Sequence, residues 1–214
     1  MYLAERTIVL VQRFLQSYGP SGLKRLLWDR EFAGTKWDFI DHTEGDCVYE
    51  NLEKYARKGS ILDLGCGPGN TANEVAINAY ESYVGVDISE EALSKARRRT
   101  AREGRSEKNA FVQGDFVKYV PTEKFDVILF RESMYHVPMG KIKHTLDRLS
   151  GYLKESGVFI VRMYTADADT SGKEKSRPNA MIRIMETEFD VVEKRRYDGE
   201  RHPTVLVLRP TRRN

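Results

Sequence analysis

Five short apolar runs recur between Ser60 and Met163, and a helical pattern separates each from the next. This alternation constrains the fold of the chain more than any other feature. The runs are Ile61–Leu64, Tyr83–Val86, Ala110–Gln113, Phe125–Phe130 and Val158–Met163. Short continuous apolar stretches are what parallel strands buried on both faces require. Thr71 and Glu74 have the spacing of a capping box that would open the first intervening helix. Ser89 can cap the second, with Glu90 and Glu91 in its first turn and Lys95, Arg97, Arg98, Arg99 and Arg102 toward its end. Ile142, Leu146, Leu149 and Leu153 mark a third, with Gly157 after it. The chain closes with FDVVEKRRY, a turn through DGERHP, and TVLVLRP, an expected antiparallel pair. Strand–helix repetition implies a three-layer α/β sandwich with right-handed crossovers. Ligands of such sheets bind beyond the carboxyl ends of the strands.

The 214 residues suffice for one such domain with a small extension. We expect a helical segment at 1–58 and the sandwich at 59–214. Residues 3–17 carry Leu3, Ile8, Leu10, Val11, Phe14 and Leu15 at helical spacing, YGPSG breaks that helix, and a further helix is expected over Asp46–Arg57. Both tryptophans, Trp28 and Trp37, lie in this N-terminal part. No apolar run approaches a membrane span. The N-terminus does not read as a signal peptide. The net charge of +3 is too mild to imply nucleic acid by itself. Cys47 and Cys66 match no zinc or redox spacing, so the expectation is a cytoplasmic, disulfide-free and metal-free protein.

The stretch ILDLGCGPGN carries the chemistry. Gly65, Gly67 and Gly69 alternate after a buried strand, where they let the backbone bend sharply and approach a ligand closely. A phosphate loop would end in Gly-Lys-Ser/Thr, whereas Asn70 follows here. A dinucleotide fingerprint is spaced Gly-x-Gly-x-x-Gly, not Gly-x-Gly-x-Gly. Asp63, two residues before the first glycine, suits a ligand carrying positive charge and is awkward beside pyrophosphate. A ligand-free tight turn is the remaining reading.

These residues resemble the first motif of the class I methyltransferases that use S-adenosylmethionine, and the resemblance continues in order from about Ser60 to Met163. It implies a Rossmann-like sandwich with a mostly parallel seven-stranded sheet, an antiparallel C-terminal strand and an N-terminal helical cap. It places Asp87 of VGVDIS at the ribose hydroxyls and Ile88 against adenine. Gly114, Asp115 and Phe116 of VQGDF fall at the adenine edge, and Arg131 at the amino-acid end of the cofactor. With Asp63, Gly65, Cys66, Gly67, Gly69 and Asn70 of the loop, and Trp37 of the cap, these are the expected cofactor contacts. The expected product is S-adenosylhomocysteine. The cap, LWDREFAGTKWDF, has as its competing reading a helix packed on the sheet edge.

The resemblance also frames FDVILFRESMYHV. Tyr135 and His136, a few residues past the fourth strand, fall opposite the reacting methyl group. His136 has the intrinsic pKa, roughly 6.5, of a general base, and a structural histidine is the alternative. Glu132 either orients the acceptor or pairs with Arg131. The stretch lacks the Asn/Asp-Pro-Pro-Tyr/Phe motif of enzymes that methylate amino groups of bases or glutamine. The basic run KARRRTAREGR raises RNA binding, but a solvated helix face diluted by Glu90, Glu91 and Glu103 explains it better. Residues 165–177 form either a lid or a surface loop. The expected acceptor is a small metabolite or natural-product intermediate, methylated on oxygen or nitrogen. A peptide or protein carboxylate, or a non-catalytic cofactor-binding subunit, are the alternatives. The sequence is silent on oligomeric state.

Overall fold

The computed structural model describes residues 2–34, 43–165, 177–198 and 202–211. Trp37 and most of the polar stretch 165–177 lie outside the described residues. The chain opens with α1 (Tyr2–Tyr18), α2 (Ser21–Ala33) and α3 (Val48–Ala56). Then come β1 (Ser60–Leu64), α4 (Asn70–Glu74), β2 (Ser82–Asp87), α5 (Glu90–Arg102), β3 (Asn109–Gln113) and β4 (Phe125–Arg131). It ends with α6 (Ile142–Ser150), β5 (Leu153–Tyr164), α7 (Arg177–Glu188), β6 (Asp190–Arg196) and β7 (Pro203–Arg209). Among the described residues, seven strands form one sheet in the order β3-β2-β1-β4-β5-β7-β6. β1 to β5 run parallel, and β7 is antiparallel to both β5 and β6.

Burial on both sheet faces explains the apolar runs of β1, β2, β4 and β5, whereas Ala110–Gln113 forms the edge strand β3, where Ala110, Val112 and Gln113 are exposed, so the expectation of a doubly buried strand fails there. Along β4, Ile128 and Phe130 enter one core with Leu146, Leu149 and Met181, while Val127 and Leu129 enter the other with Val48, Leu52 and Ala72. Full burial of each such side chain contributes about 1.5–3 kcal/mol. The three-layer sandwich follows from these two cores, with α3 and α4 on one side and α6 and α7 on the other.

Three local expectations need correction. Thr71 and Glu74 do not form a capping box, because α4 starts from Gly69 without a side-chain cap. The Glu74 carboxylate is drawn instead into bonds from Thr43 Oγ1 at 2.7 Å, the Tyr49 hydroxyl at 2.8 Å and Arg99 Nη2 at 2.7 Å. The third intervening helix stops at Ser150, and Leu153 already pairs with Phe125 as the start of a longer β5. Gly157 therefore lies inside a strand, where a Cβ would stand 2.9 Å from the Phe125 carbonyl oxygen. The sequence pattern also gave no sign of α7. Ser89 does cap α5, accepting from Ala92 N at 3.2 Å.

Two of the arginines of the basic helix α5 are paired within the protein. Arg99 bonds Glu74, Arg97 bonds Glu90, and Arg98 reaches Ser94. No helix among the described residues is long and apolar enough to cross a membrane.

Candidate active site at the carboxyl edge of the sheet

The glycine loop leaves β1 and folds back over β2. Gly65, Gly67 and Gly69 have φ of 85°, 54° and 79°, a region that costs L side chains energy. The Gly65 and Cys66 amides donate to the Val86 carbonyl at 2.7 and 3.1 Å. Gly85 makes that approach sterically feasible, since a Cβ there would lie 2.8 Å from Cys66 Sγ. The loop thereby reaches Asp87 at the tip of β2. One Asp87 oxygen accepts from Gly67 N and the other from Ser89 N, both at 2.9 Å. Asp63, at the tip of β1, accepts from the Tyr83 hydroxyl on Oδ2, while its buried Oδ1 has no partner. Burial pushes both carboxyls up, to about 6. Two buried carboxylates facing one hollow call for hydroxyl or cationic partners.

α2 covers this hollow. Lys24 Nζ and Ser21 Oγ both bond Asp115 Oδ2, at 2.7 and 2.9 Å. Asp29 accepts from Ser89 Oγ at 2.8 Å, which ties α2 to the start of α5. Phe32 lies over Gly67, and Trp28 meets the His136 ring edge-on at a centroid distance of 4.9 Å. The first helix, α1, packs on α2 and on the turn Met134–His136.

A charged network closes the far wall. Arg131 donates to Asp46 Oδ2 at 2.9 Å and stands over the Tyr49 ring. Arg162 bonds Glu132 Oε1 at 2.6 Å and reaches Asp46 Oδ2 at 3.3 Å. Burial alone would raise the Asp46 carboxyl, but the two guanidiniums bring it below its ordinary value. Glu132 pairs with Arg162, not with Arg131. It sits at φ 56°, a strained position for a side chain-bearing residue, with its carboxyl raised by burial. The Tyr135 hydroxyl donates to the Tyr164 carbonyl at 3.1 Å and accepts from its amide at 2.6 Å. Tyr135 and Glu132 are thus committed within the protein. His136 is not, because its buried Nδ1 has no hydrogen-bond partner. Burial, with Arg177 and Lys24 nearby, lowers its pKa to about 4, below the intrinsic value expected from the sequence, so the imidazole is neutral at physiological pH and a weaker base than an ordinary histidine.

These elements enclose a cavity of about 1050 Å³. Among the described residues, all the predicted site residues line it except Gly69 and Gly114. Gly69 is turned toward Ala96 of α5, and the Gly114 amide donates to the Asp87 carbonyl at 2.8 Å, so both shape the site from behind. Cys66, Ile88 and Phe116 supply apolar wall, and Asn70 reaches Thr43. The cavity exceeds the roughly 300–1000 Å³ typical of a pocket for one drug-sized ligand. The partnerless polar atoms around it, Asp63 Oδ1, Ser133 Oγ, His136 Nδ1 and Arg162 Nε, suit a ligand with an ammonium, a carboxylate and hydroxyls. S-adenosylmethionine has these groups, and its sulfonium is compatible with the carboxylates.

Sequence reasoning missed Lys24, Asp46, Ser133 and Arg162. Arg162 left a readable signal, a cation inside the apolar run VFIVRMY. Lys24 left none, since its partner lies 91 residues away.

A family model described as a methyltransferase domain matches residues 56–199. Over 139 residues the chain is 29% identical to the sterol 24-C-methyltransferase erg6 of Aspergillus fumigatus, covering 60% of this chain and 36% of that protein. Over 107 residues it is 33% identical to a trans-aconitate 2-methyltransferase of Rhodopseudomonas palustris, covering 49% of this chain and 38% of the other. The aligned part thus spans little more than a third of these curated relatives. Among solved structures, the N-methyltransferase NodS of Bradyrhizobium japonicum in complex with S-adenosyl-L-homocysteine superposes with a TM-score of 0.68 at 18% identity, covering 88% of this chain and 98% of that one. The glycopeptide N-methyltransferase MtfA complexed with S-adenosyl-L-methionine gives 0.64 at 13% identity, with 79% and 96% covered. At these identities the likeness concerns the fold.

Proposed function

The chain belongs to the methyltransferase-domain family, and from that premise we propose that it transfers the methyl group of S-adenosylmethionine to an oxygen or nitrogen of a small molecule. The observation that carries this reading is the single cavity shared by the carboxylates of Asp63 and Asp87 and the His136 imidazole with its partnerless Nδ1, roofed by α1 and α2. A roofed cavity favours a small acceptor over a peptide segment.

When bound, the cofactor supplies an electrophilic methyl on a cationic sulfur. The chain's own residues do the rest. Asp87 holds hydroxyls, pre-aimed by the Gly67 and Ser89 amides. Asp63 takes a cationic group on its open Oδ1. Ile88 and Phe116 flank an apolar ring. Asp115 acts here through Lys24 and Ser21, fastening α2 over the adenine side. Arg131, neutralised by Asp46, forms part of the wall at the amino-acid end. Glu132 and Tyr135 position the turn that carries His136, and His136 accepts the acceptor's proton. Holding the reactants in line is worth about 7–11 kcal/mol of barrier, and a positioned base about 10²–10⁴-fold in rate.

Methyl-labelled S-adenosylmethionine, offered with a panel of small hydroxylated and amine acceptors, tests the reading. Label should appear in small-molecule products, and His136→Ala should lower that turnover by about 10²–10⁴-fold. Label found only in protein, or full activity in His136→Ala, would contradict it.

A further inference from the structure

One side of α1 remains unexplained by cofactor binding. Leu10, Phe14 and Tyr18 recur at four-residue spacing and are 66%, 60% and 49% exposed. Phe14 and Tyr18 stack with ring centroids 4.9 Å apart. An exposed aromatic stripe costs solubility and needs a reason. All three side chains line the same cavity as Trp28 and His136, and α1 packs against the turn that carries His136. The stripe is thus an apolar strip of α1 on the cavity that holds the imidazole, flanked there by Gln12, Arg13, Gln16 and Ser17.

A cation stands near the imidazole. Arg177 Nη2 is fixed by the Tyr135 and Val137 carbonyls at 2.9 and 3.5 Å. Among the described residues no carboxylate pairs with Arg177, whereas the nearby Lys24 is neutralised by Asp115. A fixed guanidinium beside a neutral base favours developing negative charge and disfavours an ammonium.

We propose that the acceptor is a weakly acidic hydroxyl on an apolar body, phenol- or enol-like, whose body lies on Leu10, Phe14, Tyr18 and Trp28 and whose oxygen meets His136 and Arg177. This rests on the methyl-transfer reading and narrows it to oxygen. The balance is simple. The hydroxyl proton passes to the His136 imidazole and the oxygen–methyl bond forms. The sulfur–methyl bond breaks, and sulfur keeps its electron pair as a neutral thioether. The proton then leaves to solvent.

Calorimetry on the full chain saturated with S-adenosylhomocysteine tests this, using 2-naphthol, 2-naphthylmethylamine (an ammonium at neutral pH) and naphthalene. The expected order is naphthol first, at least tenfold tighter than the ammonium, with naphthalene between them. Phe14→Ser should weaken naphthol about tenfold and leave S-adenosylhomocysteine affinity unchanged, which also reports that the variant is folded. Equal or tighter binding of the ammonium would overturn the oxygen assignment. Unchanged naphthol affinity in Phe14→Ser would overturn the role of the stripe. So would sedimentation showing a dimer that Phe14→Ser dissociates, since the stripe would then be covered by a second copy. Failure of S-adenosylhomocysteine itself to bind would instead remove the methyl-transfer reading, and this inference with it.

Discussion

The buried neutral His136 should make the protein lose stability on acidification, by an amount that its environment fixes. Its pKa falls from 6.5 to about 4 on folding, with burial as the main cause. In the unfolded chain the imidazole titrates normally, so between these values the unfolded state binds more protons and stability falls as pH falls. Integrating over that window gives a loss of about 2 kcal/mol between pH 8 and pH 5. Asp63 and Asp87 work in the opposite direction. Their folded pKa values are raised, to about 6, so ionising them costs stability, and acidification relieves that cost. Wild type alone therefore shows only a net effect. The informative quantity is the difference between wild type and His136→Gln, in which the two carboxyls cancel. Urea unfolding of both proteins at pH 8 and pH 5 supplies it. Wild type should lose about 2 kcal/mol relative to the variant over that interval. Parallel pH dependence in the two proteins would show that His136 titrates freely, and the neutral-base argument would fail with it.

Three further outcomes follow from the loop and the strand tips beside it. Gly65→Ala should cost about 2–5 kcal/mol in urea unfolding, from left-handed backbone strain plus overpacking, because its Cβ would stand 2.5 Å from Ser133 Cβ. Gly67→Ala meets nothing closer than Phe32 Cζ at 3.8 Å and should cost only the backbone strain of about 1–2 kcal/mol. Affinity for S-adenosylhomocysteine should drop as pH falls through about 6, where Asp63 and Asp87 take up protons and lose acceptor charge. Calorimetry at pH 7.5 and pH 5 would show it, and equal affinities would refute it.

The sheet was legible because its information is local. A strand buried on both faces must be apolar throughout, so β1, β2, β4 and the second half of β5 announce themselves, and the alternating glycines mark a turn that runs at positive φ. The strand-tip acids Asp63 and Asp87 were legible for the same reason, being polar groups that directly follow apolar runs. What stayed hidden was set by distant partners. Glu74 has the spacing of a capping residue, yet Thr43, Tyr49 and Arg99 compete for its carboxylate and win. Asp115 lines the cavity as expected, but its partners Lys24 and Ser21 reach it from the other end of the chain and left no local sign. α7 went unread because its burial is confined to Met181, Ile182 and Met185, too narrow a face for a clear period. Leu10 and Phe14 of α1 were legible only as helical spacing, and the structure alone leaves them on the cavity.

The central claim is that Asp87 and the glycine loop hold S-adenosylmethionine, and calorimetry on wild type and Asp87→Asn tests it most directly. Asparagine preserves the shape but turns an amide NH₂ toward either the Gly67 or the Ser89 amide, setting donor against donor where each oxygen now accepts at 2.9 Å. Wild type should bind S-adenosylmethionine with no comparable binding of NAD. Asp87→Asn should weaken the interaction by about 1.5–3 kcal/mol, the range for hydrogen bonds to a charged group. Tight NAD binding without S-adenosylmethionine binding, or an Asp87→Asn variant with undiminished affinity, would contradict the account.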